Sequence, residues 1–233
     1  MRTVLIITCL FIVFAGKSQP SSSTWFDSTY LPRFYVDTGT YLSPVTFTDV
    51  QGLEKKLGDY SGKFLYISLW ATTCGNSVRQ FPYQKQLLKR LQEISLDTAF
   101  QFINIHVEDS KKEWKTTLKK YQPTGINLFC ADTAILSNWN LNAPPACILL
   151  DRSGKVLGKK ISMPEEAVTI DYILYAAVNG MSPADALLKQ HRQLLLLEEF
   201  KTPDAFTDTE YKNWYKLTIK SFLDYRNWKL NHR

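Results

Sequence analysis

Cys74 is the residue of this chain best placed to do chemistry. It lies in Trp70-Ala71-Thr72-Thr73-Cys74-Gly75-Asn76-Ser77, between an apolar run, Phe64 to Leu69, and a helical pattern from Val78 to Ile94. The run reads as a buried strand. A cysteine at a strand-to-helix junction sits at the positive end of the helix dipole, with unpaired backbone N–H groups aimed at it. Such surroundings favour the thiolate, the attacking species in thiol–disulfide exchange. Exchange also needs a second thiol to break the mixed disulfide that the first one makes. Three residues on, about one helical turn away, the chain has Ser77. A serine hydroxyl cannot perform that step.

The other candidates carry less. Cys130 and Cys147 stand at the end of one apolar run and inside another, and both read as small buried core residues. Cys147 shares a strand face with Pro145, about 6.5 Å away. His106, near the end of a strand, reads as a structural histidine. No Cys/His spacing suits zinc, and no cofactor is expected. A peroxiredoxin-type site would need Pro and Thr at set distances before the cysteine; Ile67 and Ala71 stand there instead.

The elements that must position Cys74 follow from hydrophobic period and turn residues. Residues 44–48 alternate like a strand, 49–62 read as loop and turn, and 63–69 as the central strand. The helix over 78–94 carries Pro82 in its first turns, where a proline kinks the helix. A second apolar strand is expected over 100–107. Ser110 and Glu113 form a capping box for a helix through Tyr121. A short strand over 126–130 and a short helix over 132–140 come next. Pro144-Pro145 precede a buried strand over 146–150, which turns at Asp151-Arg152-Ser153-Gly154 into a return strand over 155–161. Helices are then expected after caps at Ser162, Ser182 and Thr207, ending near Gly180, Phe200 and Leu230. Strands alternating with helices argue an α/β domain with a mixed central sheet flanked by helices. In the last helix Tyr211, Trp214, Phe222 and Tyr225 share a face that Trp228 extends, and Lys212, Lys216 and Lys220 form a basic stripe. Packing of that aromatic face on the domain is expected, ahead of partner binding or membrane association.

The chain has 233 residues and a net charge of +6, with no Lys/Arg block long enough to engage nucleic acid. The charge reads as a solvated basic surface. Thr3 to Ala15 is an apolar run of 13 residues behind Met1-Arg2. A membrane-spanning helix needs roughly 20, so a cleaved export signal over 1–19 is expected. Cys9 inside the run follows Thr8, which is not a lipoprotein pattern. Removing the signal leaves Cys74, Cys130 and Cys147, an odd number that leaves at least one thiol free or paired between molecules. The expected divisions are a signal peptide over 1–19, a lead-in over 20–43, the α/β domain over 44–180 and a helical extension over 181–233.

From Pro44 to about Tyr175 the chain resembles the TlpA/ResA-like thiol–disulfide oxidoreductases, exported bacterial members of the thioredoxin superfamily. The matching stretches are Gly62-Lys63, Leu69-Trp70-Ala71-Thr72, Pro82, Glu113-Trp114-Lys115, Lys119-Lys120-Tyr121, and Pro145 six residues before Asp151-x-x-Gly154. The resemblance implies a thioredoxin-like fold and a nucleophile at Cys74. It implies a cis-proline at Pro145 facing that nucleophile, and a Pro144 whose backbone pairs with substrate. Ser77 falls at the resolving-cysteine position. A substrate surface of Trp70, Thr73, Gly75, Asn76, Pro144 and Pro145 follows. Thr73 replaces a tryptophan common in the family and Gln80 a glutamate. The acid that assists proton transfer in relatives has no evident heir; Ser68 stands in the strand where it often sits. The expected function is thiol–disulfide exchange by an exported, periplasmic protein through the single cysteine of a Cys-x-x-Ser motif. Its partners would be client protein thiols or disulfides and an external thiol donor. The competing expectation is a redox-inactive protein-binding or structural module on the same scaffold.

Overall fold

The computed structural model describes residues 37–108 and 110–232. The export signal, Cys9 and most of the lead-in fall outside them. Seven strands form one mixed sheet: β1 (Phe47–Thr48), β2 (Glu54–Lys55), β3 (Phe64–Trp70), β4 (Phe100–His106), β5 (Ile126–Phe129), β6 (Ala146–Leu150) and β7 (Val156–Lys159). Their order is β2-β1-β5-β4-β3-β6-β7. β3, β4 and β5 run parallel, and β6 runs antiparallel to β3. The helices are α1 (Gly75–Glu93), α2 (Lys111–Tyr121), α3 (Ile135–Asn138), α4 (Thr169–Val178), α5 (Pro183–Phe200) and α6 (Thr209–Asn231).

β3 and β4 are central because they can be buried on both faces, and their near-continuous apolar sequences say so. Side chains alternate across the sheet. Leu65, Ile67 and Leu69 join Ile103, Ile105, Ile148 and Trp139 on one face. Tyr66, Phe102, Cys147 and Leu149 meet Leu87 and Leu91 of α1 and the C-terminal helices on the other. Gly125, with φ of +91°, brings the start of β5 so close to β4 that a side-chain carbon there would lie 2.5 Å from the Phe102 carbonyl oxygen.

Three expectations need correction. The segment over 49–62 is not all loop: it holds β2 and a 3₁₀ turn at Leu57–Tyr60. The helix expected to begin at Ser162 begins at Thr169. Residues 162–168 form a strap whose Met163 N–H donates to the Glu166 carboxylate at 2.9 Å. A γ-turn at Val168, φ 59° and ψ −54°, keeps the backbone non-helical until Thr169. The last helix is capped by Asp208 rather than Thr207. The Asp208 carboxylate accepts from Tyr211 N–H at 2.7 Å, while Thr207 and Asp208 donate their own N–H groups to Gln193 of α5.

α5 and α6 share the sheet's apolar cluster. Ala184, Leu187 and Leu197 of α5 and Tyr211, Trp214 and Phe222 of α6 pack with Tyr172 and Ile173 of α4 and with the strand residues above. Arg90 of α1 and Asp171 of α4 form a buried two-point ion pair at 2.8 and 3.0 Å, with the guanidinium 4.4 Å above the Tyr225 ring of α6.

Candidate functional site

β3 ends at Trp70, and Ala71-Thr72-Thr73 turn the chain into α1. Cys74 is the N-cap of that helix, in extended conformation with φ −98° and ψ 100°. Its carbonyl accepts from Ser77 N–H at 2.9 Å, and its own N–H donates to the Ala71 carbonyl at 3.2 Å. The helix begins three residues earlier than apolar period suggests, because Gly75-Asn76-Ser77 are polar and leave no hydrophobic mark. The sheet brings a second segment here. β6 is antiparallel to β3 with Ala146 opposite Leu69, so the residues just before Ala146 lie past the end of β3, beside Cys74. The Pro144–Pro145 bond is cis, and the Cys74 thiol points at the Pro144 carbonyl oxygen, 3.6 Å away.

A carboxylate that local sequence did not reveal holds the approach to Cys74. Glu108 accepts from Thr72 N–H at 2.6 Å, from Thr73 N–H at 3.2 Å, and from the Thr73 hydroxyl. The signal lies in the parallel register of β3 and β4. Trp70 pairs with His106, so a residue just past His106 runs alongside Ala71-Thr72-Thr73. His106 is fully buried, between Trp70 at 4.6 Å and Phe129 at 5.7 Å between ring centres. Its Nε2 lies 3.1 Å from a Glu108 oxygen and 2.8 Å from the Thr72 hydroxyl. A carboxylate only accepts, so the imidazole proton belongs on Nε2. Burial raises the Glu108 pKa, but the hydrogen bonds from Thr73 and Thr72 outweigh it and hold Glu108 below the ordinary glutamate value. Burial also dominates His106, lowering it and keeping it neutral against the opposing pull of Glu108.

Between β3, the first turns of α1 and Pro145 lies a cavity of about 10 Å³, lined among others by Ser68, Ser77, Gln84, Pro145, Cys147 and Pro164. Ser77 is 1 % exposed, and its hydroxyl has no hydrogen-bond partner among the described residues. Cys147 is 2 % exposed; its sulfur accepts from the Tyr66 hydroxyl at 3.2 Å and shares a hydrogen bond with the Ser68 hydroxyl at 3.8 Å. Burial pushes its thiol up to about 11 despite those bonds. Cys130 is fully buried, with burial again raising its thiol. The 162–168 strap borders this region. Glu165 donates its N–H to Gln80 at 3.3 Å, pairs with Arg79 at 3.2 Å, and accepts at its carbonyl from the Tyr225 hydroxyl of α6 at 3.0 Å.

Of the residues expected at the site, Thr73, Gly75 and Asn76 are exposed around the half-buried Cys74, and Pro144 and Pro145 are half-buried opposite it. Trp70 is a correction. It is 1 % exposed and its ring packs on Phe81 and His106, so it lies in the core behind the turn and not on the surface beside Cys74. No cluster of His, Cys, Asp and Glu suited to a metal ion occurs among the described residues. The chemistry open to this arrangement is that of one accessible thiol at a helix N-terminus.

No family model matches the chain. The thiol-disulfide oxidoreductase ResA of Geobacillus kaustophilus is 22 % identical over 156 residues, 67 % of this chain and 83 % of that protein. ResA of Geobacillus thermodenitrificans is 23 % identical over 161 residues, 69 % of this chain and 84 % of that one. Among solved structures, a putative thiol:disulfide interchange protein DsbE from Chlorobium tepidum superposes with a TM-score of 0.51 at 20 % identity, covering 65 % of this chain and 98 % of its own. A thiol:disulfide interchange protein from Bacteroides sp. gives 0.51 at 21 % identity, covering 61 % and 93 %. At those identities the solved structures establish the fold, which is thioredoxin-like.

Proposed function

We propose that this chain, a thioredoxin-fold relative of the TlpA/ResA-like thiol–disulfide oxidoreductases, exchanges disulfides with client proteins through Cys74 alone. The observation that carries the reading is the contrast among its cysteines. Cys74 is half-buried at the start of α1, whereas Cys130 and Cys147 are enclosed. The Cys74 thiolate attacks a client disulfide; the new sulfur–sulfur bond joins protein and client, and the other client sulfur leaves as a thiolate. Ser77 occupies the position from which a thiol would break that bond. Release therefore falls to an external thiol, which attacks the mixed disulfide and regenerates Cys74. Thr73, Gly75, Asn76, Pro144 and Pro145 border the sulfur and form the client surface. The apolar run behind Met1-Arg2 supports export to an oxidising compartment, where client disulfides persist.

Mass spectrometry after exposure to oxidised glutathione tests this. One glutathione should appear on Cys74 and persist until an external thiol is added, and Cys74→Ser should carry none. A native chain that takes up no glutathione would instead favour a redox-inactive binding module. Loss of glutathione with formation of an internal disulfide would place the resolving thiol at Cys130 or Cys147.

A further inference from the structure

We propose that Pro144 limits backbone pairing between this protein and a client to one hydrogen bond, and thereby selects the segments that Cys74 accepts. The inference rests on the exchange reading above. In a disulfide the two Cα atoms lie about 4.4–6.8 Å apart. A client joined to Cys74 must therefore run its backbone past whatever main chain borders the sulfur. That main chain is Pro144, whose carbonyl oxygen is 3.6 Å from the thiol. Among the described residues no main-chain group bonds to Pro144. The ladder between β6 and β3 ends at Ala146 opposite Leu69, leaving the backbone before it open to an added strand.

In an antiparallel pair, two residues opposed at a hydrogen-bonded position exchange two bonds, one N–H given and one received, and a client N–H aimed at the Pro144 carbonyl puts Pro144 at such a position. Proline has no N–H to give. Pro144 offers only its carbonyl, and in the free thiol form that carbonyl already faces the S–H of Cys74. Exchange alters this. Cys74 first loses its proton to solvent; its thiolate then attacks, the Cys74–client bond forms, the client disulfide breaks, and the departing client thiolate takes up a proton. Cys74 then has no S–H, and the Pro144 carbonyl is left to accept a client N–H. The client residue facing Pro144 must therefore carry an N–H, so it is not proline. Its own carbonyl finds no donor on this protein and must stay in water, since an unpaired buried carbonyl is costly. That describes a cysteine in an exposed extended segment, and not one needing a complete ladder for its docking.

The test is an ester scan of short peptides whose single cysteine is activated as a 2-thiopyridyl disulfide. Each peptide has one backbone amide near the cysteine replaced by an ester. An ester removes the N–H of one residue and weakens the carbonyl of the residue before it. The rate of thiopyridone release is read, and the adduct on Cys74 is confirmed by mass. In the native protein one ester position should slow the reaction about fivefold, the worth of one hydrogen bond, and the next position toward the C-terminus should react at the unmodified rate. Pro144→Ala supplies the missing N–H and should make that next position sensitive as well. Two adjacent sensitive positions in the native protein, or none, would overturn the inference while leaving exchange intact. The native scan decides this without the variant. Absence of any Cys74 adduct would overturn the exchange reading itself.

Discussion

Glu108 shows how a residue 34 positions from Cys74 comes to govern the turn that presents it. Its three hydrogen bonds to Thr72 and Thr73 anchor the turn into α1. Glu108→Ala should cost about 1 kcal/mol or more, given partial exposure and charge-assisted bonds, measured as a shift in the urea midpoint. The pH dependence follows from sign. Glu108 in the folded protein lies below its ordinary 4.5, so its contribution is complete above that value and is lost as pH falls through the lower folded value. His106 is lowered beneath 6.5 by burial, so the unfolded chain binds that proton first, and stability declines as pH falls from about 6.5. His106→Asn should flatten the decline that starts near 6.5 and leave the carboxylate-linked decline below 4.5. A native profile flat between pH 7 and 5 would contradict this placement of His106. Native alkylation should label Cys74 only; Cys147, with its thiol pushed up to about 11, should react after unfolding. Cys74 and its neighbours were legible in the sequence because a strand, a cysteine and a helix start adjoin there. Glu108 was not, because its partners lie on a parallel neighbour and pairing between strands leaves no local mark.

The Arg90–Asp171 pair ties α1, the helix that carries Cys74, to α4, and Arg90 stacks on Tyr225 of α6. Removing one partner strands a buried charge. Arg90→Ala should destabilise the protein by about 3–5 kcal/mol, and Arg90→Met with Asp171→Leu should recover most of it, measured by thermal and urea unfolding. Equal loss in the single and double variants would show that the ion pair contributes little beyond its packing. At this scale the sequence read well where hydrophobic period is strong. β3, β4 and β6 are dense apolar runs, and α2 and α5 begin at the serine caps expected of them. It read poorly where a single side chain or backbone angle decides. The cap at α6 falls on Asp208 and not Thr207 because Gln193 of α5 engages the Thr207 hydroxyl, while the Asp208 carboxylate is left to accept from Tyr211 N–H. α4 starts late because Val168 turns the chain out of helix. Neither Gln193 nor the Val168 angle can be inferred from neighbouring residues.

As a whole molecule, the thioredoxin-like sheet and the C-terminal helices share an apolar cluster, and Tyr225 of α6 reaches the strap beside the site. Truncation before Thr207 uncovers Tyr172, Ile173 and the α5 face. It should sharply lower the melting temperature and induce binding of a hydrophobic dye. An equally stable, dye-silent truncation would make α6 a surface for a partner. The aromatic face of α6 was legible from its spacing, whereas its hydroxyl contact with Glu165 depends on the strap that sequence period mistook for helix. The central claim, that Cys74 exchanges without an internal resolving thiol, is tested most directly by a single-turnover reaction. Fully reduced protein, freed of reductant, is mixed with insulin, and products are separated without reduction and weighed. The native chain should stop as a covalent complex through Cys74, with no internal disulfide. Ser77→Cys places a sulfur one helical turn from Cys74, beside the small cavity that Ser77 lines, and should instead release reduced insulin and retain a Cys74 disulfide to the new thiol. Release of reduced insulin by the native chain, with Cys74 joined to Cys130 or Cys147, would contradict the account.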